Sequence, residues 1–103
     1  MVVKLVWSKL ARAEAKQIYL DIGKEQPRSA ERYFQQFRHK ASMLVDYPRL
    51  GPRHPEIFPT ARILVEAPYV ILYETFPDDD DADVHTVEIV RIVDSRRDLT
   101  TLF

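Results

Sequence analysis

Ala61-Arg62-Ile63-Leu64-Val65-Glu66, Tyr69-Val70-Ile71-Leu72-Tyr73-Glu74-Thr75-Phe76 and the run from Val84 through Val87-Glu88-Ile89-Val90-Arg91-Ile92-Val93 to Asp94 decide the fold. All three are rich in β-branched and aromatic residues and bounded by turn formers, the signature of strands. Ala67-Pro68 separates the first from the second, and Pro77-Asp78-Asp79-Asp80-Asp81-Ala82-Asp83 separates the second from the third. Breaks this short join antiparallel neighbours, because a parallel crossover needs about a dozen residues or more. The stretch from Thr60 to Asp98 therefore reads as a β-meander closed by a block of arginines.

Upstream of it the period changes. Val2-Val3-Lys4-Leu5-Val6-Trp7 reads as a short first strand, and Ser8 follows as a helix N-cap whose hydroxyl can accept a first-turn N–H. Ala11, Ala15, Ile18 and Ile22 then recur at the spacing of one helix face, and Gly23 is placed to end that helix or bend the chain, since glycine takes the left-handed conformation at no steric cost. Pro27 suits the first position of a second helix, where its missing N–H is no loss. Ala30, Phe34, Phe37, Ala41 and Leu44 make its apolar stripe, with Glu31, Arg32, Gln35, Arg38 and Lys40 on the other side. The few residues between the two helices predict an antiparallel hairpin. Tyr47-Pro48-Arg49-Leu50-Gly51-Pro52-Arg53-His54-Pro55 breaks the second helix, with Gly51 permitting a tight turn. Arg49, Arg53 and His54 are either partner contacts or solvated charges on a stiff connector.

The order is β-α-α-β-β-β, an α+β fold with a helical hairpin packed on one face of a mainly antiparallel four-stranded sheet. A chain of 103 residues predicts a single domain over 1–103 with one modest core. Without cysteine it has no disulfide framework and no thiolate metal site, which suits a reducing compartment. No apolar run is long enough for a membrane span, and the first residues lack the features of a signal peptide, so a cytoplasmic location and no membrane partner are expected.

The net charge of -1 conceals an asymmetry. Asp78, Asp79, Asp80, Asp81 and Asp83 lie together, and without these five acids 15 basic residues face 11 acidic ones, a net +4. A single-sign run is expected to form a solvated, mobile loop. The remaining arginine excess suits an anionic partner.

Strand alternation raises the question of the sheet's second face. Ile63 and Val65 point one way and Arg62 and Leu64 the other; in the last strand Val87, Ile89, Arg91 and Val93 share one side, and Thr86, Glu88, Val90 and Ile92 the other. Two helices cover one face. Either an apolar, arginine-studded patch stays open on the far side as an interaction surface, or the sheet curls and Leu99 to Phe103 covers it.

The short strand ending in Trp7, the Ala11–Ile22 helix, the helix start Pro27-Arg28-Ser29-Ala30 and Tyr47-Pro48-Arg49-Leu50-Gly51 recur in a known order with Arg62-Ile63-Leu64-Val65, Tyr69-Val70-Ile71-Leu72-Tyr73 and Val90-Arg91-Ile92-Val93-Asp94-Ser95-Arg96-Arg97-Asp98. Over nearly its whole length the chain resembles the RelE/ParE toxin superfamily, small bacterial toxins encoded beside an antitoxin. The resemblance implies one of two activities. RelE-like members cut messenger RNA on the ribosome; ParE-like members poison DNA gyrase and have no established catalytic centre.

A ribonuclease needs basic groups on the scissile phosphate and an acid or base to move protons. RelE-like members commonly carry a basic residue where Val70 stands, basic residues along the strand occupied here by Ile63, Leu64 and Val65, and a histidine where Asp94 stands. No tyrosine follows Tyr73, and an anionic Asp94 would repel phosphate. His39, His54 and His85 read as solvated side chains. With Gly23 and Gly51 the only glycines, a phosphate-cradling loop is excluded.

The ParE-like branch is therefore the reading: no catalytic residue, metal or cofactor, a gyrase target, and a cognate antitoxin wrapped over the helical hairpin and the open sheet face in a hetero-oligomer. Arg62, Leu64 and Arg91 are the expected antitoxin contacts, and Arg91, Arg96 and Arg97 the expected target contacts. Direct binding to nucleic acid is not expected. The alternative is a RelE-like ribosome-dependent ribonuclease using Arg62, Arg91, Arg96 and Arg97 on phosphate. A housekeeping protein-binding module, with neither toxicity nor an adjacent antitoxin gene, is the third.

Overall fold

A computed structural model describes residues 2–103. Strand β1 (Lys4–Trp7) leads into helices α1 (Lys9–Gly23) and α2 (Pro27–Asp46), followed by β2 (Arg62–Glu66), β3 (Tyr69–Phe76) and β4 (Thr86–Asp94), with one 3-10 turn at Leu99–Thr101. The strands form one sheet in the order β1-β4-β3-β2. β2, β3 and β4 are the antiparallel meander read from the sequence, and β1 adds in parallel beside β4. The parallel pair is possible because the two helices and the meander intervene between its strands.

Ser8 joins three elements. Its hydroxyl oxygen accepts the Ala11 N–H at 2.9 Å, capping α1, and its O–H donates to the Val90 carbonyl at 2.7 Å, fixing the helix start against β4. α1 ends at Gly23 as expected, though not through a left-handed residue; a Cβ there would lie 3.6 Å from that of Ala30, an ordinary contact. Pro27 opens α2 as expected. Ala11 and Ala15 of α1 and Ala30, Phe37, Ala41 and Leu44 of α2 are buried, and the small alanines let the hairpin lie close to the sheet.

The helix-side core joins Ala11, Ala15, Phe37, Ala41 and Leu44 to Ile71, Tyr73, Val87, Ile89 and Ile92. Tyr69 meets Phe37 and Tyr33 edge-on at 5.7 and 5.4 Å. A second cluster fills the opposite face: Ile63, Val70, Leu72 and Val93 pack with Ile57, Phe58 and Ala61 of the connector and with Leu99 and Leu102. The sheet's second face is thus largely covered, and the open patch is not there. The connector and the C-terminal turn do what two helices could not, taking Val70, Leu72 and Val93 out of water.

The β3–β4 register slips between Leu72, opposite Arg91, and Tyr73, opposite Ile89, leaving Val90 as an extra residue. A bulge of this kind reverses the facing of everything beyond it. Ile92 joins Val87 and Ile89 on the helix side, while Val93 goes to the second face with Arg91's partner Leu72. Unbroken alternation had placed Arg91 and Val93 with Val87 and Ile89.

Among the described residues no helix is long and apolar enough to cross a membrane, and no group of three or more His, Asp or Glu is arranged to hold a metal ion.

Candidate partner-binding site

Arg62 faces the helix side, since it pairs with Tyr73 across β2 and β3, and its side chain is 6% exposed. It donates to the Gly51 carbonyl at 2.8 Å and to Asp80 at 3.1 Å. Leu64 pairs with Ile71 and packs against the same helix-side core. The sequence reading placed both on an open surface, and that placement is corrected: strand alternation put them on one side, but not on the uncovered one.

The acidic loop is what Arg62 reaches for. Arg53 grips Asp78 with two bonds of 2.9 and 3.0 Å and reaches Asp80 at 2.9 Å. Arg49 donates to the Asp79 carbonyl at 2.6 Å and to the Ala82 carbonyl. Three arginines from the proline connector and β2 therefore hold the loop, and the expected mobile tip is corrected to a pinned one. Hydrogen bonding from Arg53, then its charge and those of Arg62 and Arg49, holds the Asp80 carboxyl below its ordinary range. The opposite charges sit 18 or more residues apart in sequence, which is why the run read as solvated.

Gly51 lies at the base of this arrangement. Its N–H donates to the Tyr73 hydroxyl at 2.8 Å, and that hydroxyl donates to the Pro48 carbonyl at 2.9 Å. A Cβ on Gly51 would fall 2.4 Å from the Ile63 carbonyl oxygen, so glycine is needed for close approach and not for a positive φ. Burial pushes the Tyr73 phenol up.

Arg91 occupies the β4 edge beyond the end of β1. Its guanidinium forks onto Glu14 of α1, with Nη2–Oε2 at 2.6 Å and Nε–Oε2 at 3.2 Å, and Glu14 Oε1 also accepts the Ile92 N–H at 3.1 Å. Glu14 thus closes part of an otherwise unpaired strand edge. Nothing in local sequence pairs residues 77 positions apart, and the reading missed Glu14.

Past β4 the arginines change character. Arg96 is 78% exposed and binds Asp94, two residues back, through its guanidinium and its backbone N–H. Those bonds and the adjacent positive charge hold the Asp94 carboxyl down at about 2. Arg97 is exposed. The structure therefore separates the expected contact residues: Arg62 and Leu64 face inward, Arg91 is tied at the edge, and Arg96 and Arg97 face solvent.

A family model described as the ParE toxin of the type II toxin-antitoxin system, parDE, matches residues 5–99. The chain belongs to the ParE toxin family. Membership brings with it an antitoxin partner, since the family is one half of a toxin–antitoxin system. A solved structure of a chromosomal ParDE TA system from P. aeruginosa shares the fold, with a TM-score of 0.70 and 21% identity over 89% of this chain and 95% of that one. No curated protein sequence matches.

Proposed function

We propose that this ParE-family toxin acts by binding DNA gyrase, not by chemistry of its own, and that a cognate antitoxin neutralises it in a hetero-oligomer. The observation that carries this reading is how the cations and Asp94 are spent. Arg62 and Arg91, which a ribonuclease would aim at phosphate, are paired with Asp80 and Glu14. Asp94, at the place where the RelE-like pattern implies a histidine, is an anion at neutral pH, and Arg96 lowers its carboxyl pKa further. An anion cannot give a proton at neutral pH, and it repels the phosphate a nuclease must hold. These features support the gyrase reading over the ribosome-dependent ribonuclease.

Arg96 and Arg97, being exposed, are the residues we assign to target contact. Arg91 joins either partner only by leaving Glu14. Arg62 and Leu64 serve antitoxin binding through the surfaces they support, Arg62 by anchoring the acidic loop and Leu64 by backing the helix pair.

Purified toxin should inhibit gyrase supercoiling of relaxed plasmid, and added antitoxin should restore it. Primer extension on ribosome-bound message should show no new ends. Codon-specific cleavage with untouched supercoiling would replace this reading with the ribonuclease.

A further inference from the structure

Between the end of β1 and the two helices lies a recess of about 360 Å³, floored by Trp7, Ala15, Phe34 and Phe37. Its remaining lining residues are Arg12 and Lys16 of α1 and Arg38 of α2, all three exposed. No acidic residue lines it. A second recess of about 230 Å³ shares Lys16 and Phe34 and continues along the helix pair toward Tyr19 and Glu31. Glu31 is already occupied there, accepting from the Tyr19 hydroxyl at 3.2 Å and from Gln35 at 3.4 Å.

These three cations are among the molecule's unpaired basic residues, and what distinguishes them is that they share the lining of one apolar recess. Lys40, Arg49, Arg53, Arg62, Arg91 and Arg96 each have a carboxylate partner. Among the described residues Arg12, Lys16 and Arg38 have neither an ion pair nor a side-chain hydrogen bond. Like charges held around an apolar floor repel one another and raise the local potential, which favours an anion at the rim. An apolar floor with a few convergent polar groups is also the usual make-up of a binding pocket, and the volume falls within the range of about 300–1,000 Å³.

We propose that this recess seats an acidic segment of the antitoxin. One bulky apolar side chain enters between Trp7, Phe34 and Phe37, and carboxylates flanking it in sequence meet Arg12, Lys16 and Arg38. The inference rests on the toxin–antitoxin reading above and adds to it the place and the chemistry of the contact. The continuation toward Tyr19 gives a path of the shape a peptide segment needs, longer than a single side chain. A buried anchor ringed by charge pairs is how such interfaces gain both affinity and a fast, salt-sensitive encounter.

Trp7 is the only tryptophan, so toxin grown with 5-fluorotryptophan carries a single fluorine resonance inside the recess. The antitoxin encoded beside the toxin is titrated against it, with complex formation followed independently by size-exclusion chromatography. Two variants are compared, Lys16→Glu with Arg38→Glu at the rim, and Lys24→Glu with Arg28→Glu at the exposed turn between the helices. Both pairs change net charge equally, so general attraction cancels. The proposal expects the Trp7 resonance to move on complex formation. It also expects the rim pair to raise the Kd at least tenfold, against less than threefold for the turn pair. A complex that leaves Trp7 unmoved, or equal effects of the two pairs, overturns the recess as the site while leaving the antitoxin reading intact. A Trp7 resonance that moves with toxin concentration alone would make the occupant a second copy of this chain and overturn the proposal. Absence of any complex overturns the antitoxin reading and the inference with it.

Discussion

Glu14→Ala tests the link between α1 and the open end of the sheet. The carboxylate it removes holds the Arg91 guanidinium at 2.6 Å and accepts the Ile92 N–H at 3.1 Å, and the two side chains are only 16% and 14% exposed. Breaking a fully buried pair from one side costs about 3–5 kcal/mol, and because some solvent reaches this pair we expect about 2–3 kcal/mol. With a urea m-value of about 1.5 kcal/mol/M, the unfolding midpoint should fall by about 1.3–2 M. Glu14→Gln keeps an acceptor for the Ile92 N–H and should lose about 1 kcal/mol less. The pairwise part comes from a double-mutant cycle with Arg91→Ala, followed by circular dichroism in urea, and a coupling of about 1–2 kcal/mol is expected. The result should persist at about 1 M salt, where exposed pairs are screened away. A coupling below about 0.5 kcal/mol would refute the reasoning and leave Arg91 free for a partner.

Phe37→Ala should cost about 3–5 kcal/mol through lost transfer energy and the cavity left behind, and an unchanged urea midpoint would contradict its place in the helix-side core. Gly51→Ala should cost about 1–3 kcal/mol, because the new methyl meets the Ile63 backbone oxygen, which cannot swing away as a side chain could; equal stability to wild type would mean the connector moves freely. Asp94 should titrate near pH 2 by carboxyl NMR and rise toward the ordinary range in Arg96→Ala, which removes the guanidinium but keeps the backbone N–H bond. Since its folded pKa is depressed, the stability it contributes is full above about pH 4 and is lost as pH falls from about 4 toward 2; a wild-type midpoint near 4 would contradict the pairing. Asp78→Asn with Asp80→Asn should speed amide exchange over residues 78–83 by weakening the hold of Arg53 and Arg62, whereas unchanged protection would mean that backbone contacts alone order the loop.

The local code of this chain is legible where neighbours in sequence are neighbours in space. Ser8 capping α1, Pro27 opening α2, the Phe37–Ala41–Leu44 stripe and the three meander strands all follow from spacing and side-chain chemistry, because a helix turn or strand pleat is set by the residues that form it. The positions of Gly23 and Gly51 were legible too, although neither takes a positive φ. What glycine does there depends on atoms elsewhere: at Gly51 it is the Ile63 carbonyl, twelve positions on, that forbids a Cβ.

The candidate site was decided by contacts that carry no local signal. A single bulge at Val90 sends Val93 and Ile92 to the sides opposite those that unbroken alternation assigned, and one extra residue between paired strands leaves no mark on a hydrophobic pattern. The acidic run looked solvated because Arg49, Arg53 and Arg62 reach it only after the connector folds back over β2. Glu14 meets Arg91 only because the helix hairpin returns α1 to the β4 edge. Sequence periodicity settled which residues share a face along each helix and along each unbroken strand, since that is a matter of a few dihedrals. Which charges are spent and which remain free depends on distances of about 3 Å between remote segments, and Coulomb and hydrogen-bond energies fall off too steeply for anything but the tertiary structure to fix them.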